Sequence, residues 1–383
     1  MKIVIAHYQN IVSYPPVISL IDNLLKNQHV VRVVAYGTHN LPKRILQHNN
    51  FYEYDIPKIN KKSLIDAYHE KNVLKNLANK QVISFMNDAD FLWTTTDFTV
   101  RWLGDIVLRY RHIMQLMELI QYYPRYPRFK ILNKWRFPID KYARSAYKVV
   151  VPEQNRAYIQ QVWWNLKEVP IVLPNKPYYT DVDFKELEPN TLEKLDAIKN
   201  EKRKIILYSG VLWFDREFEP FAKAVQSLGS DYCLYVMGSV GDAYKSRFKE
   251  LLNRYPCVTY LGYFNAPQHL CFYQYAYIGL LPYKPGNSSD NYTNISELNA
   301  LFCAPNKIYE YARFSLPMIG TNVPGLKGPF EKYGFGICCE HLKPQEIKES
   351  IEYISDHYGE MKLGCRKFYD DINLDKIVHS ILS

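Results

Sequence analysis

Residues 303–325, CAPNKIYEYARFSLPMIGTNVPG, hold the densest set of groups able to act on a ligand. Pro305 suits the first position of a helix, where its missing N–H would have had no partner, and the amides of Asn306 and Lys307 then point off the helix N-terminus. An anion belongs at such a point. Lys307 adds a full positive charge, and Glu310, three residues on, shares its face with a carboxylate able to accept from a ribose diol. One helical turn would thus read a phosphate and a sugar ring together. The same spacing also fits an ordinary amphipathic helix with a surface Lys–Glu pair, and on spacing alone both readings stand. In the other half of the chain, Asp97 in TTTDF closes an extended run and is well placed to act as a general base.

The elements that must position these groups can be read from periodicity. Lys2–Ala6, a Pro-containing loop, Val17–Lys26 and HVVRVVAYG spell strand, loop, helix, strand. A polar helical stretch follows at 62–80, then an extended run at Phe91–Thr95. Helical spacing is expected over 101–121, with Leu103, Val107, Tyr110, Met114, Met117 and Ile120 on one face. YKVVVP reads as the last main strand of this half, followed by a helix over Glu153–Leu166 and a short strand in PIVLPNKPYY. The second half alternates more clearly, with strands at 204–209, 232–237, 258–261, 277–281, 317–320 and 335–339 and a helix-length segment in each gap; two helices close the chain at 343–356 and 366–382. Such alternation means a parallel sheet wrapped on both faces. The expected fold is therefore α/β, with two Rossmann-like domains facing across a cleft. Their expected limits are 1–174 and 175–360, with 361–383 a C-terminal helix packing back toward the first domain.

A length of 383 residues, 47 % hydrophobic and 23 % charged, suits two globular domains and excludes a disordered or fibrous chain. No apolar run reaches the roughly 18 residues of a spanning helix, and MKIVIAHYQN lacks the features of a signal peptide, so a cytosolic protein is expected. All seven cysteines follow residue 230 without a C-x-x-C pair; Cys338 and Cys339 end the run FGICC. Reduced, mostly buried thiols are expected rather than a metal site. The 33 tyrosines suit sugar, lipid or protein contacts, and equally suit an AT-rich codon bias. The net charge of +9 is concentrated: residues 101–150 hold eleven Lys plus Arg against three acids.

The PNK-x-x-E-Y-x-x-x-x-x-P-x-I core of 303–325 resembles the donor-site signature of GT-B glycosyltransferases of the group-1, glycogen-synthase-like superfamily, many of which build bacterial capsule and O-antigen polysaccharides. VTYLGYF at 258–264 and YIGLLPY at 277–283 match that family in order and spacing, and YSGVLWFDREFE at 208–219 resembles the Gly-containing turn after the first strand of its C-terminal domain. The resemblance covers residues 150–340; the N-terminal half matches in layout. It implies that Glu310 accepts from the ribose, that Lys307 contacts the diphosphate, and that Gly210 and Arg216 meet the diphosphate from the opposite loop. Tyr263 and Phe264 would lie at the base. Phe302 replaces the first Glu of the family's E-x7-E pattern, which leaves Asp290 and Glu297 as candidates for the sugar-contacting carboxylate. YRHIMQLMELIQYYP is similar to the family's His-Glu-Leu element near the acceptor, with Glu118 in the Glu position and Met117 where His often stands. His112 is then a displaced equivalent or a structural histidine, and Asp97 is the base if transfer inverts; the resemblance implies retention.

The resemblance thus implies a transferase using a nucleotide-sugar donor, UDP-linked in preference, and a saccharide or lipid-linked saccharide acceptor. Neither metal nor cofactor is expected, because helix amides, Lys307 and Arg216 suffice for a leaving diphosphate. Asp88-Ala89-Asp90 has the D-x-D spelling but precedes the strand at 91–95 and reads as surface. VMGSVGD at 236–242 lacks the G-x-G-x-x-G fingerprint, and the sequons at Asn287, Asn291 and Asn294 lie in a polar loop read as cleft wall. Between Tyr122 and Lys148, Arg125, Arg128, Lys130, Lys134 and Arg136 alternate with aromatics, the composition of a contact with an anionic membrane surface at its inner face. No nucleic-acid partner is expected. The rival readings are a sugar-nucleotide 2-epimerase of the same fold and a non-enzymatic basic binding protein.

Overall fold

A computed structural model describes residues 1–57, 64–124, 136–178, 187–214, 216, 218–283 and 297–383. The chain divides into two compact units. Unit 1 comprises residues 1–179, 290–299 and 373–383, and unit 2 comprises 180–289 and 300–372.

Unit 1 is built on a seven-stranded parallel sheet. Its strands are β1 (Lys2–Asn10), β2 (Val30–Tyr36), β3 (Phe51–Asp55), β4 (Phe91–Thr94), β5 (His112–Gln115), β8 (Lys148–Val151) and β9 (Ile171–Val172), in the order β3-β2-β1-β4-β5-β8-β9; the short strands β6 (Tyr123–Pro124) and β7 (Arg136–Phe137) pair apart from it. The central strands are apolar on both faces because helices cover both: Ile3, Val4, Ile5, Leu92 and Trp93 are fully buried, each contributing about 1.5–3 kcal/mol. The chain's last helix, Leu374–Leu382, packs on the first, Pro15–Lys26, where Asn23 and Asn27 both donate to Asp375 Oδ1, at 2.8 and 2.9 Å.

Unit 2 repeats the plan with six parallel strands: β10 (Lys204–Ser209), β11 (Tyr232–Met237), β12 (Val258–Gly262), β13 (Ile278–Leu281), β14 (Met318–Thr321) and β15 (Gly336–Cys339), in the order β12-β11-β10-β13-β14-β15. In each sheet the winding reverses once, between β1 and β4 and between β10 and β13. Open α/β sheets bind ligands outside the carboxyl ends of the strands at that reversal. No described helix is long and apolar enough to cross a membrane.

The structure corrects several local expectations, among them the closing helix at 366–382, which is instead parts of two helices, Tyr358–Asp370 and Leu374–Leu382. The single helix expected over 101–121 is a helix at Asp97–Leu103, a 3-10 turn at Gly104–Arg109 and the strand β5. Gly104 adopts φ +55°, which ends the helix, and Ile113 and Met114 then go into the sheet between β4 and β8. His112 and Glu118 are therefore strand and loop residues. Strand β3, in the polar text FYEYD, was not expected. Pro305 caps the helix Asn306–Arg313 rather than opening it, one position earlier than expected.

Candidate functional site

In unit 2 the carboxyl ends of β10, β11 and β12 are drawn together by glycines. Gly210 has φ +146° and Gly238 φ +134°, and a β-carbon on Gly238 would lie 1.8 Å from the Gly210 carbonyl oxygen. Gly210 N–H donates to Met237 O (2.9 Å), and Gly238 N–H donates to Gly262 O (2.8 Å). Backbone approach this close admits no side chain.

The helix Asn306–Arg313 is pinned over this turn by Tyr311. The Tyr311 hydroxyl accepts from Ser209 N–H (3.1 Å) and donates to Leu207 O (3.3 Å), while its ring occupies the space that a β-carbon on Gly279 would need. Lys307, one turn earlier, is thereby laid across Gly210: a β-carbon there would come within 2.5 Å of Nζ. Burial lowers the Lys307 pKa to about 8, with Glu310 opposing and Arg216 adding to the fall. The ammonium is still the main form at neutral pH.

Glu310 is 4 % exposed. Its Oε2 accepts from the Tyr273 hydroxyl at 3.0 Å and faces His269 Nε2 at 3.4 Å. Burial alone would raise this carboxyl, but the His269 and Lys307 charges and the two hydrogen bonds outweigh it and hold the group below its usual range. Arg216 stacks on Tyr283, guanidinium carbon 4.3 Å from the ring centroid, and the two backbones form an antiparallel bridge. Gly210, Arg216, Lys307 and Glu310 thus gather at the β10/β13 reversal, with the Asn306 amide at the helix start.

The two aromatics expected at the base part company. Tyr263 is 59 % exposed, whereas Phe264 is buried with its ring 4.5 Å from that of Phe272 and belongs to the core. His269, Tyr273, Gly238 and Tyr311 escaped the sequence reading. Tyr311 and Gly238 stood in the quoted runs PNK-x-x-E-Y and VMGSVGD without a role assigned, and the trace of the other two was a His and a Tyr four residues apart in QHLCFYQY.

In unit 1, Asp97 opens the helix Asp97–Leu103 beside the β1/β4 reversal, behind the cap that Thr96 Oγ1 offers to Thr99 N–H (3.3 Å). Burial raises its pKa to about 6; its own amide and that of Phe98 oppose this, and the Glu118 charge adds to it. His7, within β1, is buried and holds Thr95 Oγ1 at 2.7 Å through Nδ1. Glu118 Oε2 accepts from Asn299 Nδ2 (2.7 Å), and the buried Arg156 ties Met117 O (2.9 Å) to Asn299 O (3.0 Å). His112 lies instead at the amino end of β5, buried, with Nε2 2.8 Å from Thr94 Oγ1, and burial drives its pKa down to about 3. It stays neutral inside the sheet. Asp88 pairs with Lys2 (2.6 Å) and Arg32 at the amino ends of the strands, and Asp90 Oδ2 accepts from Lys2 N–H (2.7 Å). Arg125, Arg128, Lys130, Lys134 and Asp290 lie outside the described residues; for Arg136 and Glu297 the backbone alone is described.

Asp97 offers a test of unit 1. A carboxyl whose folded pKa lies above its unfolded value adds stability at low pH and loses it as pH rises through the window from about 4 to 6. Asp97→Asn removes the cost of keeping a buried carboxylate. At pH 7 it should stabilise the protein by about 1–2 kcal/mol in urea unfolding, with the gain vanishing below pH 4. A variant less stable than the parent at pH 7 refutes the buried-charge account.

Neither a protein-family model nor a curated protein matches the sequence. Solved structures do match, along the whole chain. The Anabaena protein HepE, in complex with UDP and glucose, is 13 % identical over 100 % of this chain and 98 % of its own, with a TM-score of 0.65. WaaG, a glycosyltransferase involved in lipopolysaccharide biosynthesis, is 14 % identical over 99 % and 98 %, at 0.58. A Listeria monocytogenes protein assigned as a UDP-N-acetylglucosamine 2-epimerase is 11 % identical over 100 % and 94 %, at 0.60. The chain has the GT-B fold, as the motif at 303–325 implied.

Proposed function

We propose that this protein is a glycosyltransferase that moves a sugar from a nucleoside-diphosphate donor, a UDP-sugar in preference, to a saccharide or lipid-linked saccharide acceptor in cell-surface polysaccharide synthesis. The observation that carries this reading is the pair of buried opposite charges gathered at the β10/β13 reversal: Lys307 over Gly210, and Glu310 preset by Tyr273 and His269. A cation beside bare backbone suits a diphosphate, and an ionised carboxylate one helical turn on suits a ribose. Lys307, Arg216 and the helix amides stabilise the departing diphosphate, so the reading calls for no divalent ion. Unit 1 takes the acceptor at the β1/β4 reversal, beside Asp97 and Glu118. HepE and WaaG, with the same fold, support the transferase reading.

A thermal-shift panel of UDP, GDP, TDP and CMP tests it. One nucleotide should raise the midpoint in step with RT ln(1 + [L]/Kd), and silence with all four supports a non-enzymatic binder. The Listeria neighbour keeps the epimerase reading open to test. Incubation with the donor sugar alone separates the two: an epimer appearing without acceptor defeats the transferase.

The reading extends to location: a cytoplasmic enzyme held at the inner face of a membrane by the basic, aromatic stretch from Tyr122 to Lys148. Lipid-bound acceptor and docking surface would then be one device. Liposome co-sedimentation should require anionic lipid and weaken as salt rises from about 0.05 to 0.5 M, because screening shortens the reach of each charge. It should drop when Arg125, Arg128, Lys130 and Lys134 are all changed to Glu. A quadruple variant that sediments like its parent removes the membrane from the proposal.

A further inference from the structure

We propose that the cavity between the helices Glu219–Ser227 and Lys245–Arg254 of unit 2 is a second ligand site, one that takes small aromatic phosphates and opposes donor binding through Arg216. The cavity measures about 310 Å³, within the range of small-molecule pockets. Its floor is aromatic: Phe218, Tyr244 and Tyr255 line it and are buried, and Phe214 makes an exposed wall with its ring 5.2 Å from that of Tyr244. Four cations line it, Arg216, Lys223, Arg247 and Arg254, against two carboxylates, Glu219 and Glu250. Asp215 and Glu217, beside Arg216 in the chain, lie outside the described residues. Glu219 is engaged from within, since its Oε1 accepts from the Tyr255 hydroxyl (3.1 Å), from Lys223 Nζ (3.1 Å) and from Arg254 (3.3 Å). Arg247 is an exposed guanidinium with no ion pair or hydrogen bond among the described residues.

An arginine fork matches the paired oxygens of a phosphate, but on an open surface water screens the contact and it contributes little. A ring attached to the phosphate changes this. It displaces water from the aromatic floor, packs on the rings there, and leaves the charge contact beside a wall of low polarity where it is stronger. Inorganic phosphate lacks the ring and phenol lacks the charge, so a molecule with both fits best. Arg216 then joins the cavity to the β10/β13 reversal, for its side chain lines the one and stacks on Tyr283, to which its backbone is bridged, at the other. The donor diphosphate draws the same guanidinium. Two anions thus compete for one cation, and the coupling is reciprocal: the factor by which the nucleotide weakens the aromatic phosphate is the factor by which the aromatic phosphate weakens the nucleotide. Transfer would slow as such a compound accumulates, without its entering the donor pocket. This second arm rests on reading Lys307 and Gly210 as the nucleotide site; the cavity itself does not.

Isothermal titration of the full-length protein with phenyl phosphate, inorganic phosphate and phenol tests both arms. Phenyl phosphate should bind about ten-fold or more tightly than either fragment. Saturation with UDP, GDP or TDP, whichever binds, should weaken it about five-fold or more. Arg247→Glu, a change at an exposed residue outside the donor site, should lower phenyl phosphate affinity about ten-fold and leave the nucleotide within about two-fold, while Lys307→Ala should do the reverse. Phenyl phosphate that binds no better than inorganic phosphate, or that binds the Arg247→Glu protein as it binds the parent, overturns the cavity as its site. Phenyl phosphate binding that a bound nucleotide leaves untouched overturns the coupling and keeps the site. A protein that takes phenyl phosphate and no nucleoside diphosphate overturns the nucleotide reading, and the coupling with it, while the cavity stands.

Discussion

A single methyl group added at Gly238 should abolish nucleotide binding and cost unit 2 about 3 kcal/mol or more. The new β-carbon would lie 1.8 Å from the Gly210 carbonyl oxygen and 2.6 Å from its carbon, so the obstacle is backbone rather than a side chain able to swing away. Relief requires β10 and β11 to separate at their carboxyl ends, which strains the Gly210 N–H to Met237 O bond of 2.9 Å and carries Gly210 away from Lys307. The φ of +134° adds a conformational cost that alanine cannot avoid. Gly359 is the control: it lies in the helix Tyr358–Asp370 with nothing within 4 Å of the place a methyl group would take, and Gly359→Ala should stabilise the protein by about 0.5–1 kcal/mol. Urea unfolding of the two variants side by side is the measurement, and a Gly238→Ala protein with the parent's midpoint contradicts the account of the turn.

Lys307→Ala and Glu310→Ala should each weaken donor binding or turnover by about 1.5–3 kcal/mol, roughly 10- to 150-fold, as expected for loss of a charged hydrogen bond. Their effects on the unliganded protein should diverge. Glu310→Ala leaves the buried Tyr273 hydroxyl and His269 without their acceptor, so it lowers stability as well as affinity. Lys307 is a cation whose pKa burial has lowered to about 8, so the unfolded chain holds its proton more tightly than the folded one. Parent stability from this group rises with pH between about 8 and 10, and Lys307→Met should lose that rise while gaining stability at pH 7. Transfer at the parent rate in both alanine variants removes Lys307 and Glu310 from the proposed site.

The alternation of unit 2 was legible because its strands are covered on both faces and so read as unbroken apolar runs, KIILYS and YCLYVM among them. Lys307 and Glu310 were legible because a helix fixes the spacing of its own residues. Their partners were not, since Tyr273 and His269 meet Glu310 only through the folded sheet, from a 3-10 segment with no periodic signature. Phe264 shows the converse limit: an aromatic in sequence looks the same whether it stacks on a ligand or, as here, on Phe272. In unit 1, helical spacing ran on past Gly104 by coincidence, and nothing in a residue alphabet marks φ +55° at one glycine among sixteen.

The hydrogen bonds from Asn23 and Asn27 to Asp375 join the helix Pro15–Lys26 to the helix Leu374–Leu382, across 352 and 348 residues of chain. On the ribosome these partners are separated in time as well as in sequence. At about 5–20 residues per second, synthesis of residues 180–372 occupies on the order of 10–40 s, during which the nascent N-terminal unit waits with the apolar surface meant for Leu374, Val378, Ile381 and Leu382 uncovered. Unit 2 is encoded wholly inside that interval and can finish before the unit that began first. Loss of the helix Leu374–Leu382 alone would therefore leave its mark far away in sequence, as a unit 1 sheet whose helix Pro15–Lys26 never receives its cover.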